Sequence, residues 1–227
     1  MRLSIVLFDG FTALDVVGGY EVLANVPGVE AEFVAASPGV VATDTRRLGV
    51  LAYRSLAELT ECDILYVPGG PGVVRALADP AFLDRLMALH TTATWTLGVC
   101  NGVALLAAAG ILTAGRSATT NWGWRERVAG YGVDVVAERF HRDGTVITAA
   151  GVSASVDGAL FLAGLIGGED VARLIQLGIE YFPAPPSYLS PDVASVSEEM
   201  KDIVRAFERG PAAARLTQPA VFAAGMS

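Results

Sequence analysis

The sequence predicts an α/β protein with a doubly wound, mostly parallel sheet in a single domain, carrying a further helix at its C-terminal end. Three observations predict it. Short continuous apolar runs of strand length recur along the chain, segments with helical apolar spacing alternate with them, and Gly- or Pro-containing turns close several of the runs. Continuous rather than alternating apolar strands imply a sheet covered on both faces. Leu3–Phe8 is the first such strand, ended by Asp9-Gly10. Residues 15–24 place Val16, Val17, Tyr20 and Leu23 at helical spacing, and residues 30–36 read as a second strand. Residues 50–53 suggest a short strand before a small helix at 55–59, and residues 63–67 are another apolar strand that runs into Pro68-Gly69-Gly70-Pro71-Gly72. An amphipathic helix at 80–89, a strand at 94–99 and an Ala/Leu-rich helix at 101–109 follow. Beyond them the pattern predicts a strand at 117–120, a helix at 122–128, strands at 133–138 and 146–149, and helices at 153–166 and 169–181. Four prolines make residues 182–191 an extended connection. Residues 193–209 read as a polar-faced helix, and 210–227 as a loosely held tail.

The chain has 227 residues, of which 52% are hydrophobic and 18% charged, so it buries a core rather than remaining disordered. No apolar run reaches the length of a membrane span, and no secretory signal pattern is visible, so a cytoplasmic location without membrane attachment is expected. A net charge of -8, one lysine and scattered arginines argue against nucleic-acid binding. Two cysteines and two histidines supply neither a disulfide framework nor an ordinary zinc site, and no metal is expected. The domain reading is a catalytic domain over residues 1–190, then a C-terminal helix and loose tail over 191–227.

Leu97-Gly98-Val99-Cys100-Asn101-Gly102 puts a thiol where a buried strand turns into a helix, with glycines two residues to either side. This is the spacing of a nucleophile elbow. Ligands in open α/β sheets bind beyond the carboxyl ends of the strands, and a helix N-terminus favours a thiolate. Cys100 is therefore read as a nucleophile with a lowered pKa, whereas Cys62 is read as a buried structural cysteine. Pro68–Gly72 sits at a neighbouring strand end, where glycines expose backbone N–H groups. The expected oxyanion donors are the N–H groups of Gly70 and Asn101. Asp15, near the first strand, is an acid that either caps its helix or serves the site, and spacing alone does not choose between it and Glu21. His141, before Arg142-Asp143-Gly144, reads as a surface residue at a turn. Of Trp122 and Trp124, which cannot share one helix face, one is expected at the pocket and the other in core or dimer packing.

Together these residues resemble the ThiJ/PfpI superfamily, relatives of class I glutamine amidotransferases, over about residues 2–190. Within it the likeness is closest to bacterial isonitrile (isocyanide) hydratases. The likeness rests on Leu14-Asp15-Val16-Val17-Gly18, Pro68-Gly69-Gly70, Val99-Cys100-Asn101-Gly102, Ala118-Thr119-Thr120-Asn121-Trp122 and Gly151–Asp157. More specific still is Ile175-Gln176-Leu177-Gly178-Ile179-Glu180-Tyr181-Phe182-Pro183-Ala184-Pro185-Pro186. The resemblance implies a flavodoxin-like fold, an attacking Cys100, Asp15 as the acid in contact with it, a small-molecule substrate and a homodimer. Two positions depart from the family pattern: Asn101 stands where the hydratases carry Thr or Ser, and Asn121 where they carry His. An amide can orient a water but cannot shuttle a proton at neutral pH. Asn101 also speaks against the peptidase branch, which pairs the cysteine with an adjacent His.

The implied reaction is cofactor-free hydration of an isonitrile to an N-substituted formamide, through a thioimidate on Cys100 protonated by Asp15. Gly70, Asn101 and Asn121 are the expected oxyanion and substrate-positioning residues. The alternatives are a glyoxalase-type or other small-carbonyl lyase on the same scaffold, or a non-catalytic cysteine redox or ligand sensor.

Overall fold

The computed structural model describes residues 1–187 and 189–222. In chain order its first half comprises β1 (Arg2–Val6), α1 (Ala13–Leu23), β2 (Glu30–Ala35), β3 (Gly39–Ala42), β4 (Gly49–Ala52), β5 (Arg54–Ser55), β6 (Ile64–Val67), α2 (Val73–Ala76), α3 (Pro80–Thr92), β7 (Trp95–Val99) and α4 (Val103–Ala108). There follow β8 (Ser117–Ala118), α5 (Arg125–Ala129), β9 (Asp134–Val135), β10 (Phe140–Asp143), β11 (Val146–Ala149), α6 (Ala154–Gly167), α7 (Glu169–Gly178), α8 (Glu198–Phe207) and α9 (Ala213–Arg215).

Seven strands form one sheet in the order β10-β11-β7-β6-β1-β2-β5. All neighbours pair in parallel except β10, which returns antiparallel on β11. The continuous apolar strands have the expected cause: every residue of β6 and β11 is buried. On one face, Leu3, Ile5, Tyr66 and Leu97 pack with Val16 and Val22 of α1 and Ala159 and Leu162 of α6. On the other, Val6, Leu65 and Val67 pack with Leu86 and Leu89 of α3 and Val103 and Leu106 of α4. Each such side chain contributes roughly 1.5–3 kcal/mol when removed from water. The register pairs Ile5 with Tyr66 and Tyr66 with Leu97. The carboxyl ends of β1, β6 and β7 therefore finish side by side, bringing the Asp9, Pro68 and Cys100 turns together.

Several elements differ from the sequence reading. The segment around His141 is not a loop but the edge strand β10, where His141 pairs with Thr148, and the turn falls at Gly144. The polar helix starts at Glu198, where the Ser197 hydroxyl caps the Met200 N–H, rather than at Val193. The tail is packed rather than loose as far as it is described. Arg46 Nε donates to the Gln218 carbonyl at 3.0 Å, Val221 N–H donates to the Arg46 carbonyl at 3.0 Å, and Ala212 and Ala220 are buried. Residues 223–227 of that tail lie outside the described residues.

Candidate active site

Cys100 sits on a sharp turn. β7 ends at Val99, residues Cys100–Gly102 form one 3-10 turn, and α4 follows. Cys100 has φ of 56°, a left-handed conformation that costs a non-glycine residue about 1–3 kcal/mol. Tight packing holds the turn. A Cβ at Gly98 would lie 2.6 Å from Leu106 Cδ1, and one at Gly102 would run into the Pro68 carbonyl. The Thr120 hydroxyl donates to the Cys100 carbonyl at 2.8 Å. Sequence reading found the glycines but not Thr120, whose role depends on a loop 20 residues away.

Asp15 lies in the first turn of α1, fully buried. The buried Tyr66 hydroxyl donates to the Asp15 carbonyl, and Gly19, one turn further along α1, leaves room for that ring. Gly69 N–H donates to Asp15 Oδ2 at 2.8 Å. Oδ1 is buried without a hydrogen-bond partner, and the Cys100 thiol acts on the carboxyl as a hydrogen-bond neighbour. Burial raises the carboxyl from 3.8 to about 7 and the Asp44 charge adds to the rise, while the bonds from Gly69 and Cys100 oppose it.

The thiol departs from expectation. Instead of being lowered, it is pushed well above 9.0, first by burial and then by the Asp15 carboxylate. The Asn101 N–H and the Asn121 side chain, both hydrogen-bonded to the sulfur, oppose the shift. α4 is six residues long, too short a dipole to outweigh desolvation. Cys100 and Asp15 therefore share one proton around neutrality and above, either as thiol with carboxylate or as thiolate with carboxylic acid.

Gly70 differs from expectation as well. Its N–H is not open to a substrate, because it donates to Asn101 Oδ1 at 2.7 Å, and Asn101 Nδ2 donates back to the Gly70 carbonyl at 3.2 Å. The Asn101 side chain thus clamps the 68–72 turn, and it is the Asn101 backbone N–H that faces the sulfur. Gly70, with φ of 133°, keeps a different necessity: a Cβ there would lie 2.5 Å from Thr12 N. Asn121 accepts from Gly123 N–H at 2.9 Å through Oδ1, which leaves its amide N–H for the sulfur.

The sulfur opens into a cavity of about 750 Å3 whose wall includes Asn101, Asn121, Trp124 and Val152. Its roof is the C-terminal segment, which contributes Arg205, Glu208 and Leu216. Arg205 lies 5.0 Å from the centroid of the Trp122 ring, so one tryptophan lines the cavity and the other seats the roof. Glu208 was invisible to sequence reading because it stands 108 residues beyond Cys100 in the segment read as polar helix and tail. A second cavity, of about 620 Å3, opens beside Asp9 and Phe8 and includes neither Cys100 nor Asp15.

The remaining chemistry-bearing residues are structural. Cys62 is buried and raised to about 11, first by burial. Asp157 accepts from Arg139 Nε at 2.7 Å and from the Tyr181 hydroxyl at 3.1 Å. His141 bridges the Ser117 hydroxyl at 2.8 Å and Glu138 at 2.7 Å, stitching β10 to β8, and neither cavity reaches it. Among the described residues, no group of three His, Cys, Asp or Glu side chains converges to hold a metal ion.

A parallel sheet with a cysteine on a strained strand-end turn, set over a buried carboxyl, defines a single-domain α/β protein with a cysteine elbow. The chain belongs to the DJ-1/PfpI family, whose pattern it matches over residues 1–163. It is 35% identical over 195 residues to the isonitrile hydratase of Pseudomonas putida, covering 86% of this chain and 85% of that one. The crystal structure of a ThiJ/PfpI family protein from Pseudomonas syringae superposes with a TM-score of 0.85 at 27% identity, over 96% of this chain and 90% of that one. Drosophila melanogaster DJ-1beta shares the fold, with a TM-score of 0.72 at 19% identity, over 80% of this chain and 98% of that one. The family and the fold expected from the sequence are thereby established.

Proposed function

We propose that this protein hydrates an isonitrile to an N-substituted formamide, with Cys100 as nucleophile and Asp15 as its acid–base partner. The observation that carries the reading is the pairing of the two groups. A thiol that faces an apolar-walled cavity rests on a carboxyl raised to about 7, so one proton is held between them at the pH where the reaction needs it. The similarity to a curated isonitrile hydratase supports the substrate class.

The terminal isonitrile carbon is electrophilic toward sulfur and basic toward a proton. Cys100 forms the C–S bond while the shared proton, passed through Asp15, goes to that carbon, giving a thioimidate R–N=CH–S. The Asn101 N–H and the Asn121 amide steady the sulfur before and after attack. Water then adds to the thioimidate carbon, the C–S bond breaks, and the formamide R–NH–CHO leaves. No cofactor enters the scheme.

The reading carries a homodimer and a cytoplasmic location with it. Leu174, Leu177, Ile203 and Phe207 are exposed, giving a second copy apolar surface to bury; light scattering in solution tests the dimer. The decisive assay incubates purified protein with cyclohexyl isonitrile and follows the formamide. Formamide production lost in Cys100→Ala supports the proposal, and production that persists in that variant ends it.

A further inference from the structure

Water that resolves the thioimidate arrives from the cavity and must give up a proton as its oxygen bonds to carbon. Asp15 is poorly placed to take that proton, because it lies beneath the sulfur, fully buried, and is not part of the cavity wall. Asn101 and Asn121 are amides, which do not accept a proton near neutrality. Among the described residues the wall carries two carboxylates, Glu126 and Glu208.

Glu208 is the one set toward the reacting centre. Its Oε2 lies 4.0 Å from where a Cβ on Gly123 would be, and Gly123 is tied through Asn121 to the sulfur. None of the ion pairs or side-chain hydrogen bonds among the described residues uses its carboxyl, so both oxygens remain available to a water. Its charge is felt at Cys100, where it opposes ionisation of the thiol. The backbone adapts at this point as well. α8 gives way at Glu208 to one π-helical turn, Glu208–Ala212, around Pro211, which has no N–H to continue the α-helical ladder. Such turns concentrate at functional positions.

We propose that Glu208 is the general base for the second half-reaction, activating the water that hydrolyses the Cys100 adduct. This rests on the hydratase reading above. The water O–H bond breaks and its proton passes to Glu208, the new C–O bond forms, and the C=N electron pair moves to nitrogen. Glu208 returns that proton to the nitrogen. The C–S bond then breaks with its pair going to sulfur, the remaining O–H proton returns to the Cys100–Asp15 pair, and the formamide is released.

The test compares wild type and Glu208→Gln with cyclohexyl isonitrile, by steady-state kinetics and by intact mass after rapid quenching. The variant is expected to lose about a hundredfold in kcat, within the usual range for general-base catalysis. KM should fall in parallel, so that kcat/KM stays near wild type, and an adduct of one isonitrile mass should accumulate on Cys100, located by peptide mapping. Glu208→Asp should recover part of kcat, and Glu199→Gln, on α8, should behave as wild type. Wild-type kcat in Glu208→Gln overturns the proposal, and so does a joint loss of kcat and kcat/KM without adduct. A wild-type protein that forms neither adduct nor formamide sinks the hydratase reading and this one with it, an outcome distinct from both.

Discussion

Replacing Asp15 with an asparagine removes a titration that the fold holds far from its ordinary position. Burial takes the carboxyl from 3.8 to about 7. At roughly 1.4 kcal/mol per unit, a displacement of about three units corresponds to about 4 kcal/mol of differential stability between the two protonation states. The direction follows from the proton count. Between about pH 4 and 7 the folded chain holds a proton on Asp15 that the unfolded chain has released, so folding binds a proton. The stability that protonation provides is complete below about pH 4, falls as pH rises through about 7, and is flat above it. The Asp15→Asn variant has no such step, and its side-chain amide oxygen can still accept from the Gly69 N–H. Urea unfolding of both proteins at about pH 4.5, 6 and 8 reads the effect directly. The stability of the variant relative to wild type should improve by about 3 kcal/mol from the lowest to the highest of these pH values. Using the difference between the two proteins cancels groups that titrate alike in both. Parallel stability curves would refute the reasoning, since they would mean that Asp15 titrates in the folded chain as it does in water.

Three further outcomes follow from the site. In Cys100→Ala, isonitrile turnover should be abolished while the far-ultraviolet circular dichroism spectrum stays native, because the close packing at Gly98 and Gly102 and the Thr120 bond to the Cys100 carbonyl, which hold the turn, do not use the sulfur. Asn101→Ala leaves the buried N–H and C=O of Gly70 without their partner; a loss of about 2–4 kcal/mol in urea unfolding is expected, at about 1–3 kcal/mol for each buried group left unsatisfied. Gly102→Ala drives a Cβ into the Pro68 carbonyl. Chain unfolding should then become easier by about 1–3 kcal/mol, with turnover falling as the elbow shifts away from Asp15.

Much of the sheet was legible because burial on both faces leaves a compositional trace: Ile64–Val67 and Val146–Ala149 are apolar at nearly every position. The elbow was legible for a steric reason, since neither Gly98 nor Gly102 can carry a side chain. What stayed hidden depended on tertiary neighbours. The identity of the group that receives the Gly70 N–H cannot be read from Pro68–Gly72 alone, and spacing suggested an open donor where Asn101 fills it. The direction of the Cys100 shift was misjudged because local sequence announces a helix start but not how deeply the sulfur is buried or that a carboxyl lies beneath it. β10 was missed because His141-Arg142-Asp143 carries no apolar signal, as suits an edge strand. The C-terminal roof was missed because its attachments, Arg46 to Gln218 and Arg205 to Trp122, join residues far apart in the chain.

That roof has a consequence for the chain as it is made. Every group that grips the sulfur, from Asp15 to Asn121, leaves the ribosome before residues 198–217 do. For an interval during synthesis, then, the nascent protein carries Cys100 without its roof, and Glu208 is among the last side chains to arrive. A polypeptide cut short near Pro191 would keep the whole parallel sheet yet leave the cavity at Cys100 without the side that Arg205, Glu208 and Leu216 supply.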